Sequence, residues 1–457
     1  MQLSIDEINK NLGLINWNNA KKEKLVFDQV SIDSRSINST DLFIAINGTK
    51  YNGHFFVEES IRKGVKAIVV NKGSQHYVPK GFPYWAVKDT LWAYQVLALC
   101  KRKKLNIPVI AITGSVGKTT TKEIAGEVLS RYGKIKLSEN NNNNEIGVSL
   151  TIHSCDKTHK LLVLEMGMRG LGQIEILSKF SQPDIAVITN IGSSHIGLLG
   201  SRDNIAKAKT EITKYLNPRG TLIIPEGEPL LEKYLKNSWR GKIIRVKILN
   251  FNELDQNYKK KENFIQGFYC KSRNMIKIEG SCFYSSLRGK YNALNFLYIY
   301  AISKELGIQF EALNNFNFKI MEGRNKILST QKLTIMDETY NASPESVKAC
   351  IDLLLDLPGK HFLVLGSMKE LGIEKINYHK EIISFANIKK IDGFILLCDH
   401  DLEIELRNTD LFDNKIEFVN KISEIVKLLD KWTSKGDSLL IKGSRYWELE
   451  NLIKIIN

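Results

Sequence analysis

From residue 108 onward, short continuous apolar runs alternate with stretches of helical spacing. "PVIAIT" (108–113), "LLVLEMG" (161–167), "DIAVITNIG" (184–192) and "TLIIP" (221–225) have strand length and lack a polar face, as strands covered on both sides do. A helix is predicted after the glycine-rich turn that follows residue 113, and another over "NIAKAKTEITKYL" (204–216). Strands alternating with helices predict a doubly wound parallel sheet. Residues 240–290 are less regular and compatible with antiparallel strands, and the helix "NALNFLYIYAISKELG" (292–307) follows. Beyond about 328 the alternation resumes with "LTIMD", a helix from Ser343 with Pro344 in its first turn, "HFLVLGSM", "GFILLCD" and "SLLIKGS" before a last helix. Nearer the amino terminus "DLFIAIN" and "KAIVV" read as strands and "HFFVEESIRKG" (54–64) as a helix closed by Gly64. "KRKKLNIP" (101–108) reads as a linker, because a charge run and Pro108 interrupt the periodicity.

Composition bounds this picture without choosing a function. A chain of 457 residues has room for two to four compact units at about 150 residues each. With 43% hydrophobic and 25% charged residues each unit can bury a core. The net charge of +15 suits a nucleic-acid binder, a membrane-surface protein or an enzyme of polyanionic small substrates. The lysines are spread through the chain, with "KRKK" at 101–104 and "KKK" at 259–261 as the runs, which favours general lysine richness over a nucleic-acid surface. Six cysteines are scattered without C-x-x-C pairs, so free thiols are expected. The start "MQLSIDEINK" has no basic and apolar leader pattern, and no apolar run reaches the roughly 18 residues of a membrane span. A cytoplasmic protein is expected.

The chemistry concentrates at "TGSVGKTT" (113–120). A strand, a glycine turn and a helix direct backbone N–H groups and the positive helix end at one spot, which is how a chain holds phosphate. In this loop Gly114, Ser115, Val116, Gly117, Lys118, Thr119 and Thr120 are candidate ATP-binding residues; Lys118 supplies a cation and Thr119 a hydroxyl for magnesium. Ile112 stands where the full P-loop pattern has its first glycine, so the short form Gly114-x-x-Gly117-Lys118-Thr119 is present. Glu165 ends "LLVLE" and His195 follows "DIAVITNIGSSH", and ligands of open parallel sheets sit beyond such carboxyl ends. Each has a plainer explanation, as a rim carboxylate or a turn cap. Lys209 lies four residues after Ile205 and three before Ile212, on the apolar face of its helix, whereas Lys207 and Lys214 fall away from it. An inward lysine either snorkels or, with its pKa lowered by burial, reacts with carbon dioxide to become a carbamate that ligates metal.

Across nearly its whole length the chain resembles the Mur ligases of bacterial cell-wall synthesis. The resemblance is carried in order by "IDSRSINSTDLFIAINGTKYNGH" (32–54), "TGSVGKTTTKE" (113–123), "NNNNEIGVSLT" (141–151), "LEMGM" (164–168), "ITNIGSSHIGLLGS" (188–201), "AKAKTEI" (206–212), "LRGKYNALN" (287–295), "EGR" (322–324), "DETYNASPES" (337–346), "LGSMKELG" (365–372) and "IKGSR" (441–445). It implies an α/β chain of three domains. These are an α/β unit over 1–105 for a UDP-substrate, a central ATP-binding P-loop domain over 106–327, and a Rossmann-like domain over 328–457 for an incoming dipeptide. "YNASPES" and "KELG", with no "DNPR" in the last domain, favour the member that joins D-alanyl-D-alanine to UDP-N-acetylmuramoyl-tripeptide over the one that adds the third peptide residue.

The resemblance also implies roles. The catalytic set is Lys118, Glu165, His195 and Lys209. Thr119 and Glu165 hold one magnesium ion; Glu165, His195 and carbamylated Lys209 hold a second. Asn292 and Asn295 lie at the adenine, Arg324 at ATP phosphate, and Glu338 at the ribose, where the family pattern has aspartate. Tyr291 replaces a usual histidine. Ser34, Arg35 and His54 belong to the uridine-diphosphate site. Asn141, Asn143 and Asn144, with Tyr340 and Asn341, contact the muramyl substrate and the active site. Neither nucleic acid nor membrane is an expected partner, and the chain is expected to act as a monomer.

Overall fold

The computed structural model describes residues 2–17, 25–48, 50–253, 262–309, 315–316, 318, 322–407 and 415–456. The "KKK" run at 259–261 and Thr49 lie outside the described residues. Three sheets follow one another along the chain, beside a short antiparallel pairing of Leu3–Ser4 with Val26–Phe27. The first is four parallel strands, β1 (Val30–Ser31), β2 (Leu42–Ile44), β3 (Ala67–Asn71) and β4 (Tyr84–Val87), in sequential order. Its core is built on Leu42, Ile44, Val69 and Trp85. The chain leaves it through α1 (Thr90–Leu105), started by Asp89, whose carboxylate accepts the N–H groups of Leu91 and Trp92.

This helix overturns the linker expected at 101–108. The charge run stays helical through Leu105, and Asn106 in the left-handed region ends it. Lys101 is buried, donating to the His153 carbonyl. Arg102 bonds to the carbonyls of Ser181, Gln182 and Ile107 and pairs with Asp184 at 2.7 Å. Part of the run is thus an internal fastening of the first unit to the second.

The second sheet has ten strands. Their ranges are β5 (Val109–Thr113), β6 (Ile135–Leu137), β7 (Leu161–Glu165), β8 (Ile185–Ile188), β9 (Thr221–Pro225), β10 (Lys242–Asn250), β11 (Phe264–Cys270), β12 (Met275–Ile278), β13 (Ser281–Ser285) and β14 (Asn315–Phe316). The spatial order is β14-β13-β12-β11-β10-β9-β8-β5-β7-β6. All pairings from β6 to β11 are parallel. The less regular stretch 240–290 contains the antiparallel part, β11 with β12 and β12 with β13. Ile110 and Ile112 face one buried cluster and Val109 and Ala111 another, which is why β5 has no polar face. The two layers include α2 (Lys118–Leu129), α3 (Glu145–His153) and α4 (Lys290–Glu305).

The third sheet runs β15-β16-β20-β17-β18-β19, from β15 (Lys326–Ser329), β16 (Leu333–Glu338), β17 (His361–Gly366), β18 (Gly393–Leu397), β19 (Ile416–Val419) and β20 (Asp437–Gly443), parallel except for the β15–β16 pair. The helix expected from Ser343 is α5 (Pro344–Leu354); Ser343 and Ser346 close a capping box and Pro344 occupies the first turn. The buried cluster containing Ile196 and Leu199 also contains Met368 and Leu371, so the cores of the second and third units are continuous. Among the described residues no helix is long and apolar enough to cross a membrane, and all six cysteines are free.

Candidate active site

Strand β5 has β8 on one side and β7 on the other, so the sheet's order switches across it. The register pairs Ile112 with Glu165 and Thr113 with Ile188, which brings three strand ends level. The glycine loop turns there. Gly114 has φ 149° and Gly117 has φ 88°, and a Cβ on Gly114 would stand 1.8 Å from Thr189 Oγ1, so neither position tolerates a side chain without displacement. The loop is strapped to the segment after β8: Val116 N–H donates to Asn190 Oδ1 (2.9 Å), Thr189 Oγ1 to Val116 O (2.6 Å) and Gly192 N–H to Ser115 Oγ (2.9 Å). Lys118 opens α2 and donates to Gly114 O at 2.6 Å. Its pKa is lowered by burial and by Arg324, against the pull of Glu165.

A cleft of about 1310 Å³ spreads from this loop. Ser115 to Thr120, Asn141, Asn143, Asn144, Glu165, His195, Asn292, Asn295, Arg324, Glu338, Tyr340 and Asn341 all line it, from both the second and third units. Glu165 is buried; its Oε1 accepts from Asn143 Nδ2 at 2.9 Å, while Oε2 has no hydrogen-bond partner among the described residues and lies 4.0 Å from Lys122 Nζ. Arg324 stacks over the Tyr340 ring at 3.9 Å, and its buried Nε has no hydrogen-bond partner among the described residues. An orphaned carboxylate oxygen and an orphaned guanidinium nitrogen in one cleft fit a cation and an anion respectively.

Lys209 is fully buried, as its helical phase predicts, and Lys207 and Lys214 are exposed. Among the described residues its Nζ has no hydrogen-bond or ion-pair partner; burial, with the Lys118 charge adding to it, drives its pKa well below the usual lysine value. Among the described residues no three His, Cys, Asp or Glu side chains cluster as metal ligands. Glu165 and His195 line the cleft, whereas Lys209 is not among the residues lining it. The donors present, the Thr119 hydroxyl and the free Glu165 oxygen, suit a hard divalent cation.

The asparagine tract is ordered by its contacts. Asn144 caps α3 through Gly147 N–H, Asn143 holds Glu165, and Asn141 bonds to the Tyr340 hydroxyl across the units. Asn292 donates to Arg288 O and Asn325 Oδ1, and Asn295 sits against Gly117. Glu338 accepts from Asn325 N–H and lies 3.6 Å from Lys442, so its carboxylate organises the segment bearing Arg324. Tyr291 is exposed on the cleft wall. Ser34, Arg35 and His54 are not among the residues lining this cleft. Ser34 bonds Glu59, Arg35 pairs with Asp33, and buried His54 bonds Asn52 and accepts from Asn71 N–H. Burial lowers the His54 pKa.

Glu370, Ser193, Glu345 and Tyr378 hold the site without an individual signal in the sequence. His195 has φ 65° and its Nδ1 bonds to Glu370 of the third unit; the bond holds the Glu370 carboxyl below the usual range. Ser193 N–H donates to Glu345 Oε1 at 2.8 Å, and its hydroxyl to Tyr378 at 2.9 Å. Asn190 was inside a motif, but its hold on the P-loop is visible only in three dimensions.

A phosphate loop at the switch point of a parallel sheet, sharing a cleft with an acidic side chain and with an arginine from the segment that leads into the next unit, defines a nucleoside-triphosphate-using enzyme. Three family models match the chain in succession: "Mur ligase family, catalytic domain" over residues 26–111, "Mur ligase middle domain" over 112–302 and "Mur ligase, glutamate ligase domain" over 323–445. The chain belongs to the Mur ligase family. It is 34% identical to the UDP-N-acetylmuramoyl-tripeptide--D-alanyl-D-alanine ligase of Synechocystis sp. over 92% of this chain and 90% of that one, and 34% identical to the Bacillus subtilis enzyme of that name over 95% and 94%. Among solved structures, MurF from Acinetobacter baumannii matches with a TM-score of 0.85 at 24% identity, covering 100% of this chain and 99% of that one. MurF ligase from Thermotoga maritima in complex with ADP matches at 0.77 and 28% identity, over 93% and 96%.

Proposed function

We propose that the chain is an ATP-dependent amide ligase that joins D-alanyl-D-alanine to UDP-N-acetylmuramoyl-tripeptide in peptidoglycan precursor synthesis. The observation that carries this reading is the convergence of the P-loop, Glu165 with a free oxygen and Arg324 with a free Nε on one cleft, in a chain whose relatives of that name match over more than nine-tenths of its length. The tripeptide carboxylate oxygen attacks the γ-phosphorus, the bond to ADP breaks, and an acyl phosphate results. The dipeptide amine attacks the carbonyl carbon, loses a proton, and phosphate leaves with one former carboxylate oxygen. No enzyme nucleophile is needed; the residues position reactants in line and neutralise phosphoryl charge.

Lys118 and Arg324 bind and orient the transferring phosphoryl group, and the N–H groups of Ser115 to Thr119 cradle the other phosphates. Asn292 and Asn295 face the adenine and Glu338 the ribose. Thr119 and Glu165 would hold one magnesium ion, and Glu165, His195 and carbamylated Lys209 a second; bound magnesium supplies charge neutralisation at the phosphoryl oxygens. The carbamate forms when the neutral Lys209 amine attacks carbon dioxide and one proton is released, turning an unpartnered base into a carboxylate. Asn141, Asn143, Asn144, Tyr340 and Asn341 line the path of the muramyl peptide, and Ser34, Arg35 and His54 bind its uridine end. Residues 1–105, 106–327 and 328–457 divide this work as UDP-substrate, ATP and dipeptide domains in a cytoplasmic monomer.

The test is phosphate release from ATP with magnesium, UDP-muramyl tripeptide and D-alanyl-D-alanine, omitting each in turn. Full turnover is expected only with all four. Release that ignores the dipeptide and tripeptide would sink the reading.

A further inference from the structure

The loop after β8, residues 193–197, is held from outside its own unit at every turn. Ser193 N–H donates to Glu345 Oε1 (2.8 Å) and its hydroxyl to Tyr378 (2.9 Å). Gly197 N–H donates to the Glu370 carbonyl at 2.8 Å, and the Glu370 carboxylate bonds to His195 Nδ1. A Cβ on Gly197 would come within 2.4 Å of Gly372 N, so the two backbones meet directly. His195 at φ 65° and Glu370 at φ 62° are both non-glycine residues in the left-handed region, a conformation that persists where surroundings enforce it. Here each enforces the other.

A neutral imidazole has one N–H and one lone pair. With Nδ1–H given to a carboxylate, Nε2 is left as the lone-pair nitrogen, and the ring is fixed in orientation. We propose that Glu370 is the positioning residue for His195, so that the metal-binding side of the cleft is complete only when the third unit is seated on the second. This rests on the ligase reading above, in which His195 is a magnesium ligand. It deepens that reading by assigning to the dipeptide-side unit a part in assembling the phosphoryl-transfer site. The glutamate acts through the imidazole and touches neither nucleotide nor metal.

The test uses the full chain with the non-hydrolysable analogue AMP-PNP and UDP-muramyl tripeptide, titrated with Mn²⁺ and followed by electron paramagnetic resonance, in the parent, Glu370→Gln and Glu370→Ala. Glu370→Ala is expected to weaken the second Mn²⁺ by at least about tenfold, the low end for loss of a histidine's outer partner. Glu370→Gln, whose amide oxygen still accepts the Nδ1 proton, recovers most of that affinity. In a His195→Ala background, Glu370→Ala adds no further loss, because the two act as one unit. Melting temperatures of all variants separate these effects from unfolding. Unchanged Mn²⁺ affinity in a folded Glu370→Ala chain, with only the Michaelis constant for D-alanyl-D-alanine raised, overturns this inference and leaves the ligase reading intact. A parent chain that binds a single Mn²⁺ overturns both the inference and the two-metal part of that reading.

Discussion

Single residues at this site are interpretable because most of their polar atoms are spoken for, so the exceptions stand out. Lys209 is the sharpest. A lysine inside a domain loses the hydration of its ammonium, and with Lys118 nearby rather than an acid, its neutral form is favoured. If a carbamate is the missing oxygen donor, Lys209→Ala should lose activity by on the order of 10²-fold or more, as for removal of a group stabilising transition-state charge, and added short-chain carboxylates should restore part of it. A folded variant that no carboxylate concentration rescues would favour a merely packed lysine. The phase of Lys209 was legible from Ile205 and Ile212, and the P-loop from its glycines and strand. The partners of Glu165 and His195 were not, since Asn143 lies 22 residues away and Glu370 lies 175 away in sequence. Local periodicity carries no information about such pairs.

Elements were read well where burial on both faces left a continuous apolar run, as in β5, β7 and β8. The expectation fails where a charge run and Pro108 stand for a break in periodicity. The "KRKK" of α1 is helical because lysine and arginine are good helix formers and because the third-dimensional acceptors, carbonyls of His153, Ser181 and Gln182, satisfy Lys101 and Arg102. Buried histidines fasten other elements in their neutral form. His379 takes Met368 N–H on Nε2 and bonds Lys375 O through Nδ1, with Lys375 and Lys369 near it, and its pKa falls to about 4; His153 stacks on Tyr94 beside Lys101 and falls to about 3. Because these folded values lie below the ordinary histidine value near 6.5, the unfolded chain binds more protons between them. Stability is therefore complete above about pH 6.5 and is lost as pH falls toward 4. At pH 5 each histidine costs on the order of 2 kcal/mol. Urea melts at pH 7.5 and 5.0 should show the loss, and His379→Gln should reduce it; a pH-independent midpoint over that range would contradict the assignment of these two as buried and neutral.

At the scale of the whole molecule, three largely parallel sheets are arranged so that the second unit supplies the phosphate loop and, at its end, Arg324, while the third supplies Tyr340 and the Glu370 contact to one cleft. The continuous core through Ile196, Leu199, Met368 and Leu371 packs the two units against one another along that seam. The order of three α/β units was legible from the alternation of apolar runs and from the succession of motifs. How the units face one another was not, because the seam's polar contacts join glycine backbones and isolated side chains that have no pattern of their own.

The central claim is that the acid substrate is activated by phosphorylation in this cleft before the amine attacks. Tripeptide carrying ¹⁸O in its reacting carboxylate, turned over with ATP and D-alanyl-D-alanine, tests it by mass spectrometry of the released phosphate. One ¹⁸O in each phosphate is the result predicted; phosphate free of label, or label found in AMP, would contradict it.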